Sequence, residues 1–450
     1  MDDQLKELLR YAEKLDVRLD GITPRKLPGR GYGIVATRDL KEGELILEVP
    51  TRALRTLATV PKSLSRKLDH DVSVHGILAA HLMLDTSGTY DAWNAVLPTP
   101  DDLAEGMPLL WPRALQALLP TPAQDALARQ QAKLQRDWTH VKTALELGKG
   151  GASDDTGGSG SGSGEDDYRT RYTRAWLLVN SRTFYYTTPR SEQTLPRHDD
   201  RLALQPVADL FNHTGDAGGG ARATYGPEGF RFVADRAYPA GAEVPISYGA
   251  HANDALLVEY GFVLPGQGAD TAANRRWDEV SLDAAILPRL ATRAHRADLA
   301  AAGFLGRYMI DAATPGGCYR TQVALRRILC RTAAERAAWQ RFVDGGGSGG
   351  TNGGNAGWHH RDRGEDGQDD DDDDEDPMQA QVDDLLRDCL ADMTEVAETA
   401  LASIARLGQR NVGSPAQRGL LVARWQQIEA MVAEAATQMA ADAGARASEV

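Results

Sequence analysis

The strongest constraint on the fold of this chain is the order in which β-type and helical hydrophobic patterns follow one another. Residues 30–50 predict two short strands with a Lys-Glu-Gly-Glu turn between them. Apolar residues then recur at helical spacing from about 71 to 186, and short β runs return over 202–263. We therefore predict an α+β fold in which a helical insertion interrupts one β unit.

Two further helical regions flank this β unit. Apolar residues at helical spacing predict a short amphipathic helix within residues 1–20. Residues 266–450 are rich in Ala, Leu and Arg at helical spacing, which predicts an all-α C-terminal domain. The β unit then occupies residues 21–265, with its helical insertion at about 61–200.

Two glycine-rich segments contain almost no apolar side chains. Such segments cannot bury enough surface to offset the entropy that ordering would cost. We therefore expect unstructured inserts over residues 148–167 and 345–377. The second insert includes an acidic block, Asp369–Asp376, which ends at Pro377.

Negative charge is concentrated in one part of the chain. The formal net charge is −14, and residues 361–376 carry more than half of it. A protein that binds duplex nucleic acid normally has a basic surface, so we expect no direct nucleic-acid binding. An acidic appendage suits a basic protein partner, and the simpler alternative is a charge run that is only solvated.

Cysteine and hydropathy patterns exclude several other classes of protein. The chain has three cysteines and no C-x-x-C pair, so neither a disulfide framework nor a cysteine-based zinc site is expected, and we predict no metal. No apolar stretch is long enough to span a membrane, and the charged N-terminus does not resemble a signal peptide. We expect a monomeric protein of the cytoplasm, the nucleus or both.

Four motifs contain residues of the types that bind ligands or take part in catalysis. They are Gly29–Gly33 (GRGYG), Asp209–His213 (DLFNH), Ile246–Gly249 (ISYG) and Tyr260–Phe262 (YGF). Glycines allow a backbone to approach a ligand closely, and an Asn-His pair offers polar groups to a purine edge. Each motif also has a simpler structural interpretation, which is a tight turn, a turn cap or a packed core tyrosine.

Taken in order, these motifs and their flanking residues are far more specific. GRGYGIVATRDLKEGELILEVP, LQPVADLFNHT and ISYGAHANDALLVEYGF together resemble the SET-domain protein lysine methyltransferases. The likeness is to the subgroup typified by Rubisco large-subunit methyltransferase and the ribosomal-protein lysine methyltransferases. It implies a SET-domain β fold interrupted by a helical insertion and followed by an all-α C-terminal substrate-binding domain.

The resemblance also implies a cofactor, S-adenosylmethionine, and a set of site residues. Tyr248 resembles the catalytic tyrosine of the family, and Phe184 and Tyr260 correspond to residues that contact the substrate lysine. Arg182 resembles the arginine that pairs with the cofactor carboxylate, for which its planar fork is suited. The positions that correspond to cofactor-binding residues are Gly31, Tyr32, Gly33, Arg182, Asn212, His213, Tyr248 and Phe262.

The implied activity is transfer of methyl groups to the side-chain amine of lysine in a protein, such as a ribosomal protein or another basic protein. An aromatic, low-dielectric channel favours the neutral amine that this reaction needs. Phe184 would favour an aliphatic lysine stem over a histidine ring. Methylation of a protein histidine on the same scaffold and a catalytically silent binding module are the alternatives.

Two positions depart from the family pattern. Pro245 stands within EVPISYG, where the family usually has a large apolar residue, and Ala242 replaces a common acidic residue. Proline lacks the N–H that a strand ladder needs, so Pro245 predicts an edge or bulge position just before Tyr248.

Overall fold

The computed structural model describes residues 2–68, 72–147, 164–186, 201–216, 219–266, 271–346 and 378–449. The chain divides into two compact units. The first comprises Met1–Asp278 and Ser403–Arg424, and the second comprises Glu279–Ala402 and Trp425–Val450. Most of both predicted unstructured inserts, 148–163 and 347–377, lies outside the described residues.

The first unit combines helices with short strands. Its helices α1 to α10 are Asp3–Lys14, Lys62–Ser65, Val74–Leu84, Asp91–Asn94, Pro100–Gly106, Arg113–Gln116, Thr121–Ala144, Gly164–Arg182, Asn253–Tyr260 and Thr271–Arg275. Its strands β1 to β8 are Arg18–Leu19, Ile22–Leu27, Gly31–Ala36, Leu45–Pro50, Phe184–Tyr185, Leu202–Ala203, Arg222–Gly226 and Gly229–Val233. Short 3₁₀ turns lie at Thr51–Ala53, Leu57–Thr59, Pro108–Leu110 and Ala208–Leu210.

The second unit is largely helical, as predicted. Its strands are β9 (Glu279–Ser281) and β10 (Met309–Asp311), and its helices α11 to α14 are Asp283–Arg289, Arg293–Ala301, Tyr319–Leu329 and Ala333–Gly346. Helices α15 (Gln379–Gln409) and α16 (Pro415–Glu449) contribute to both units. The antiparallel pair β9–β10 is the exception to an all-α domain. Across the described part of the chain, every helix is too short or too polar to cross a membrane.

The β elements of the first unit form small sheets. Strands pair in the order β1-β4-β8-β7 in one sheet, and β2–β3 and β5–β6 form two-stranded sheets. The two strands predicted in residues 30–50 exist as β3 and β4, but they do not pair with each other. Strand β3 pairs with β2. The sequence of β2, ITPRKL, does not predict a strand, because Pro24, Arg25 and Lys26 break the apolar alternation.

The segment around Pro245 forms bridges instead of a continuous strand. The amide of Ile246 donates to the Asn212 carbonyl at 2.9 Å, and His213 pairs with Ile246 as a parallel bridge. The Pro245 carbonyl accepts a hydrogen bond from the Ala221 amide at 2.7 Å. Because proline has no N–H, its backbone bonds to the neighbouring segment through this carbonyl only. This arrangement brings the residues before Tyr248 alongside the Asn212–His213 pair.

Helix α8 differs from its prediction at both ends. It begins at Gly164, so residues 164–167 of the expected unstructured insert are helical. Its first turn carries Glu165, Asp166 and Asp167, whose charges suit the positive end of a helix, and Glu165 pairs with Lys142 of α7. The helix ends at Arg182, because Phe184 and Tyr185 form strand β5 opposite β6.

A buried ion cluster holds the start of α9 in the first unit. Arg424 is fully buried, and its Nε lies 2.9 Å from Oδ1 of Asp254. Its Nη1 lies 2.7 Å from Oδ2 of Asp278. The other oxygen of the Asp278 carboxylate accepts a hydrogen bond from the Asn253 backbone amide at 3.0 Å. Such a cluster tolerates no loss of one partner, because an unpaired buried charge is costly. It therefore fixes the helix that ends at Tyr260.

Candidate active site

A strained turn leads the chain into the DLFNH motif. Val207 has a φ of +70°, and the Ala208 amide donates to the Pro206 carbonyl at 2.8 Å, which closes a γ-turn. A β-branched residue rarely adopts this conformation, and such strain persists only where the surroundings enforce it. Val207 is completely buried, so its packing holds the turn that aims Asp209 and the residues after it.

Asn212 lies against the glycine-rich turn. Its Nδ2 donates to Oε1 of Glu243 at 2.8 Å. A Cβ added to Gly33 would lie 2.7 Å from the Asn212 side-chain nitrogen and 3.1 Å from the Glu243 carboxylate, so a larger residue would displace these side chains. Gly31 adopts a φ of +68°, which glycine accommodates without strain. Among the described residues, nothing pairs with the side-chain Oδ1 or with the second Nδ2 hydrogen of Asn212, so both can meet a ligand.

His213 presents one buried nitrogen without a protein partner. The ring is 3% exposed, and its Nδ1 accepts from the Tyr248 backbone amide at 3.0 Å. The neutral ring therefore carries its hydrogen on Nε2, which has no partner among the described residues. Burial lowers the pKa of His213 to about 4, with smaller contributions from His251 and Arg30. The site thus offers a neutral N–H donor at pH 7.

This protonation state is testable by NMR. Because the folded-state pKa of about 4 lies below the ordinary value of 6.5, the neutral ring stabilises the fold above pH 6.5, and this contribution is lost as the pH falls toward 4. We expect the His213 imidazole nitrogens, assigned by comparison with His213→Gln, to stay in the neutral form between pH 5 and 8. A titration midpoint near 6.5 would contradict the burial argument.

Tyr248 is the centre of an aromatic cluster. Its ring centroid lies 5.0 Å from that of His213, 4.9 Å from Tyr260 and 6.4 Å from Phe262. Its hydroxyl donates to the Phe211 carbonyl at 2.6 Å. Burial raises the pKa of Tyr248, so the phenol keeps its proton. Since that hydrogen is committed to a carbonyl, the hydroxyl oxygen acts as an acceptor toward anything else in the cluster.

Arg182 and Asp209 form a second buried polar group. The Arg182 guanidinium donates to the Asp209 carbonyl at 2.6 Å, and the Asp209 carboxylate accepts from Nε1 of Trp93 at 2.9 Å. Burial raises the pKa of Asp209 to about 6, and Arg182 opposes this rise. Among the described residues, Arg182 Nε and Asp209 Oδ1 lack a partner. Asp209 therefore anchors the turn, and Arg182 retains a donor for a ligand.

Two predicted site residues make their contacts elsewhere. The Tyr32 hydroxyl donates to Oδ2 of Asp2 at 2.8 Å, at the start of α1. The Phe184 ring packs edge-on against Phe230 and Phe232, with centroids 6.0 and 5.8 Å apart. The cofactor role of Tyr32 and the substrate role of Phe184 therefore stay predictions, whereas Tyr248, His213, Tyr260 and Phe262 lie together.

Three residues of this region were not predicted. Glu243 holds the Asn212 amide, Arg30 pairs with Glu243 at 2.7 Å, and Trp93 holds Asp209. Arg30 stands inside the GRGYG motif, and Glu243 follows the Ala242 position that was noted for its missing acid. Their positions inside or next to a recognised motif could have identified Arg30 and Glu243 as site residues. Trp93 lies more than 100 residues before Asp209, so nothing local connects the two.

The class of protein follows from this fold and site. Residues 31–249 match the family model of the SET domain. A solved structure of Rubisco LSMT bound to AdoMet has a TM-score of 0.55 and 14% identity, and the match covers 98% of this chain and 92% of that chain. This part of the chain, residues 31–249, is therefore a SET domain. The predicted α+β SET fold with a helical C-terminal region is confirmed.

The individual relatives include both a lysine and a histidine methyltransferase. SET domain-containing protein 4 of Mus musculus is 26% identical over 264 residues, which are 57% of this chain and 58% of the relative. Ribosomal lysine N-methyltransferase set11 of Schizosaccharomyces pombe is 26% identical over 246 residues, 53% of this chain and 55% of the relative. Actin-histidine N-methyltransferase of Danio rerio is 24% identical over 276 residues, which are 60% of this chain and 44% of the relative. The chain therefore spans little more than half the length of the first two relatives.

Proposed function

We propose that this protein is an S-adenosylmethionine-dependent protein lysine methyltransferase. The observation that carries this proposal is the aromatic cluster around Tyr248, whose hydroxyl is oriented by the Phe211 carbonyl next to the Asn212–His213 pair. The proposal is supported by similarity to a ribosomal lysine methyltransferase and by the fold shared with Rubisco LSMT.

The polar groups of the site suit S-adenosylmethionine. Asn212 offers a donor and an acceptor, which is the pairing that an adenine edge requires, and His213 adds the Nε2–H donor. Arg182 has an unpartnered buried Nε and a planar fork that matches a carboxylate. Gly31 and Gly33 let the backbone approach the ligand closely. When bound, the cofactor supplies an electrophilic methyl group on a sulfonium.

The protein side of the reaction then depends on the aromatic cluster. A lysine amine attacks only when it is neutral, because the ammonium nitrogen has no lone pair. The rings of Tyr248, Tyr260 and Phe262 provide low-dielectric walls, which lower the pKa of an amine by disfavouring its charged form. The Tyr248 oxygen, fixed as an acceptor, takes an N–H of the amine and directs its lone pair. The proton released by the ammonium goes to solvent.

Transfer of an isotopic label tests the reaction directly. The full-length protein is incubated with an extract and S-adenosylmethionine that carries a trideuterated methyl group, and proteins are then analysed by mass spectrometry. We expect deuterated methyl groups on lysine side chains of a small number of proteins. Absence of labelled lysine in a sample where the protein binds the cofactor would contradict the proposal.

Histidine methylation is the second candidate, because actin-histidine methyltransferases are among the relatives. The same spectra distinguish the two, since the labelled residue is read directly from fragment ions. A silent binding module would neither label a protein nor bind the cofactor in calorimetry.

We propose that the substrate is a basic protein, and a ribosomal fraction is the first extract to test.

A further inference from the structure

Behind the Asn212–His213 pair lies an ion pair that the proposed chemistry does not use. Arg30 donates to Oε2 of Glu243 at 2.7 Å, and the other oxygen of that carboxylate accepts from Asn212 at 2.8 Å. A second Arg30 nitrogen lies 3.4 Å from the His213 carbonyl oxygen. One carboxylate thus joins the glycine-rich turn, through Arg30, to the residue that offers its amide to the cofactor.

The Glu243 carboxylate determines which way the Asn212 carboxamide faces. A carboxylate is an acceptor only, so it binds the NH₂ end of the amide and rejects the carbonyl end. The amide carbonyl is therefore turned away from Glu243 and kept for a ligand. Without Glu243 the two amide orientations become closer in energy, and part of the population presents the wrong group.

An ordinary surface ion pair would not have this consequence. The same unit offers a close match in Arg38 and Glu44, whose side chains are 45% and 24% exposed, compared with 49% and 21% for Arg30 and Glu243. Arg38 also pairs with Asp20, and Glu44 accepts from the Lys41 backbone amide at 2.9 Å. Exposed pairs of this kind contribute little to stability. The difference between the two pairs lies in what Glu243 holds.

We infer that Glu243 and Arg30 are positioning residues for the cofactor, with Glu243 fixing the Asn212 carboxamide and Arg30 fixing Glu243. This inference rests on the proposed function, since it assigns Asn212 to the cofactor. Glu243 acts through Asn212 and need not touch the cofactor itself. Arg30 acts one step further away, so its loss has the smaller effect.

Calorimetric titration of the full-length protein with S-adenosylmethionine tests the inference. We expect Glu243→Gln, which keeps the shape but introduces an NH₂ group, to weaken binding about tenfold, as for a lost hydrogen bond to a charged group. Arg30→Ala should weaken binding about threefold, and Arg30→Lys less. The matched controls Glu44→Gln and Arg38→Ala should bind like the wild type.

A measurement without cofactor separates positioning from general stability. In protein labelled with ¹⁵N only in asparagine, the side-chain amide signal of Asn212 is assigned by its absence in Asn212→Ala. Glu243→Gln should shift that signal and Glu44→Gln should not, at similar melting temperatures.

The outcomes are distinct. If the wild type binds S-adenosylmethionine and Glu243→Gln binds it equally well, the inference is overturned and the proposed function stands. If the wild type itself does not bind S-adenosylmethionine, the proposed function is wrong and the inference falls with it. An unshifted Asn212 amide signal in Glu243→Gln would also overturn the inference.

Discussion

Tyr248→Phe should lower methyl transfer by about 10²–10³-fold while cofactor affinity changes little. The variant keeps the ring and its packing against His213 and Tyr260, but it removes the oxygen that the Phe211 carbonyl orients. A preorganised polar group that acts in the transition state typically contributes about this much. The measurement is the initial rate of deuterated methyl incorporation into the labelled substrate, alongside calorimetry with S-adenosylmethionine.

The control for this variant is a tyrosine hydroxyl in a similar setting that is not part of the aromatic cluster, since the Tyr172 ring packs on Trp138. Tyr172 is completely buried in the helical insertion, and its hydroxyl also donates to a backbone carbonyl, that of Gly76 at 3.3 Å. Tyr172→Phe should therefore cost about 1 kcal/mol of stability and leave the rate unchanged. If Tyr248→Phe turned over like the wild type, Tyr248 would be a packing residue and not a catalytic one.

Periodicity predicted the long helices of this fold well. Helix α7 follows the apolar spacing of its sequence, because burial on one face dominates its stability, whereas helix α3 is apolar and buried on nearly every side. Strand β2 was missed, since pairing with β3 and not its own alternation makes it a strand. The contribution of 403–424 to the first unit was also missed, because the buried partners of Arg424 lie 146 and 170 residues away in the sequence.

The candidate site was predictable where a single motif contains the chemistry. Asn212, His213 and Tyr248 stand in motifs that the family resemblance aligns, and the structure brings them together. The turn at Val207 was not predictable, because a valine is among the least expected residues at positive φ. Glu243 was missed although it adjoins the Ala242 position, since its role comes from the partner that folding gives it.

Asn212→Ala should weaken S-adenosylmethionine binding about 100-fold and leave the fold intact. The change removes the donor and the acceptor that the proposed site offers to the adenine, and it leaves the Glu243 carboxylate without its amide partner. Two hydrogen bonds at about 1–1.5 kcal/mol each account for a loss of this size. Calorimetry gives the affinity, and the melting temperature reports whether the protein is folded.

The matched control is Asn180→Ala. Its Nδ2 donates to a glutamate, Glu259, at the same 2.8 Å, so the substitution removes the same type of hydrogen bond in the same unit. Asn180 holds the end of α9 and is not among the residues assigned to the cofactor, so its loss should reduce stability and spare cofactor affinity. If both variants lost affinity equally, the effect would come from general loosening of the SET domain. If a folded Asn212→Ala protein bound S-adenosylmethionine like the wild type, the assignment of the Asn-His pair to the cofactor would be wrong, because no other side chain of the motif offers both a donor and an acceptor at that position.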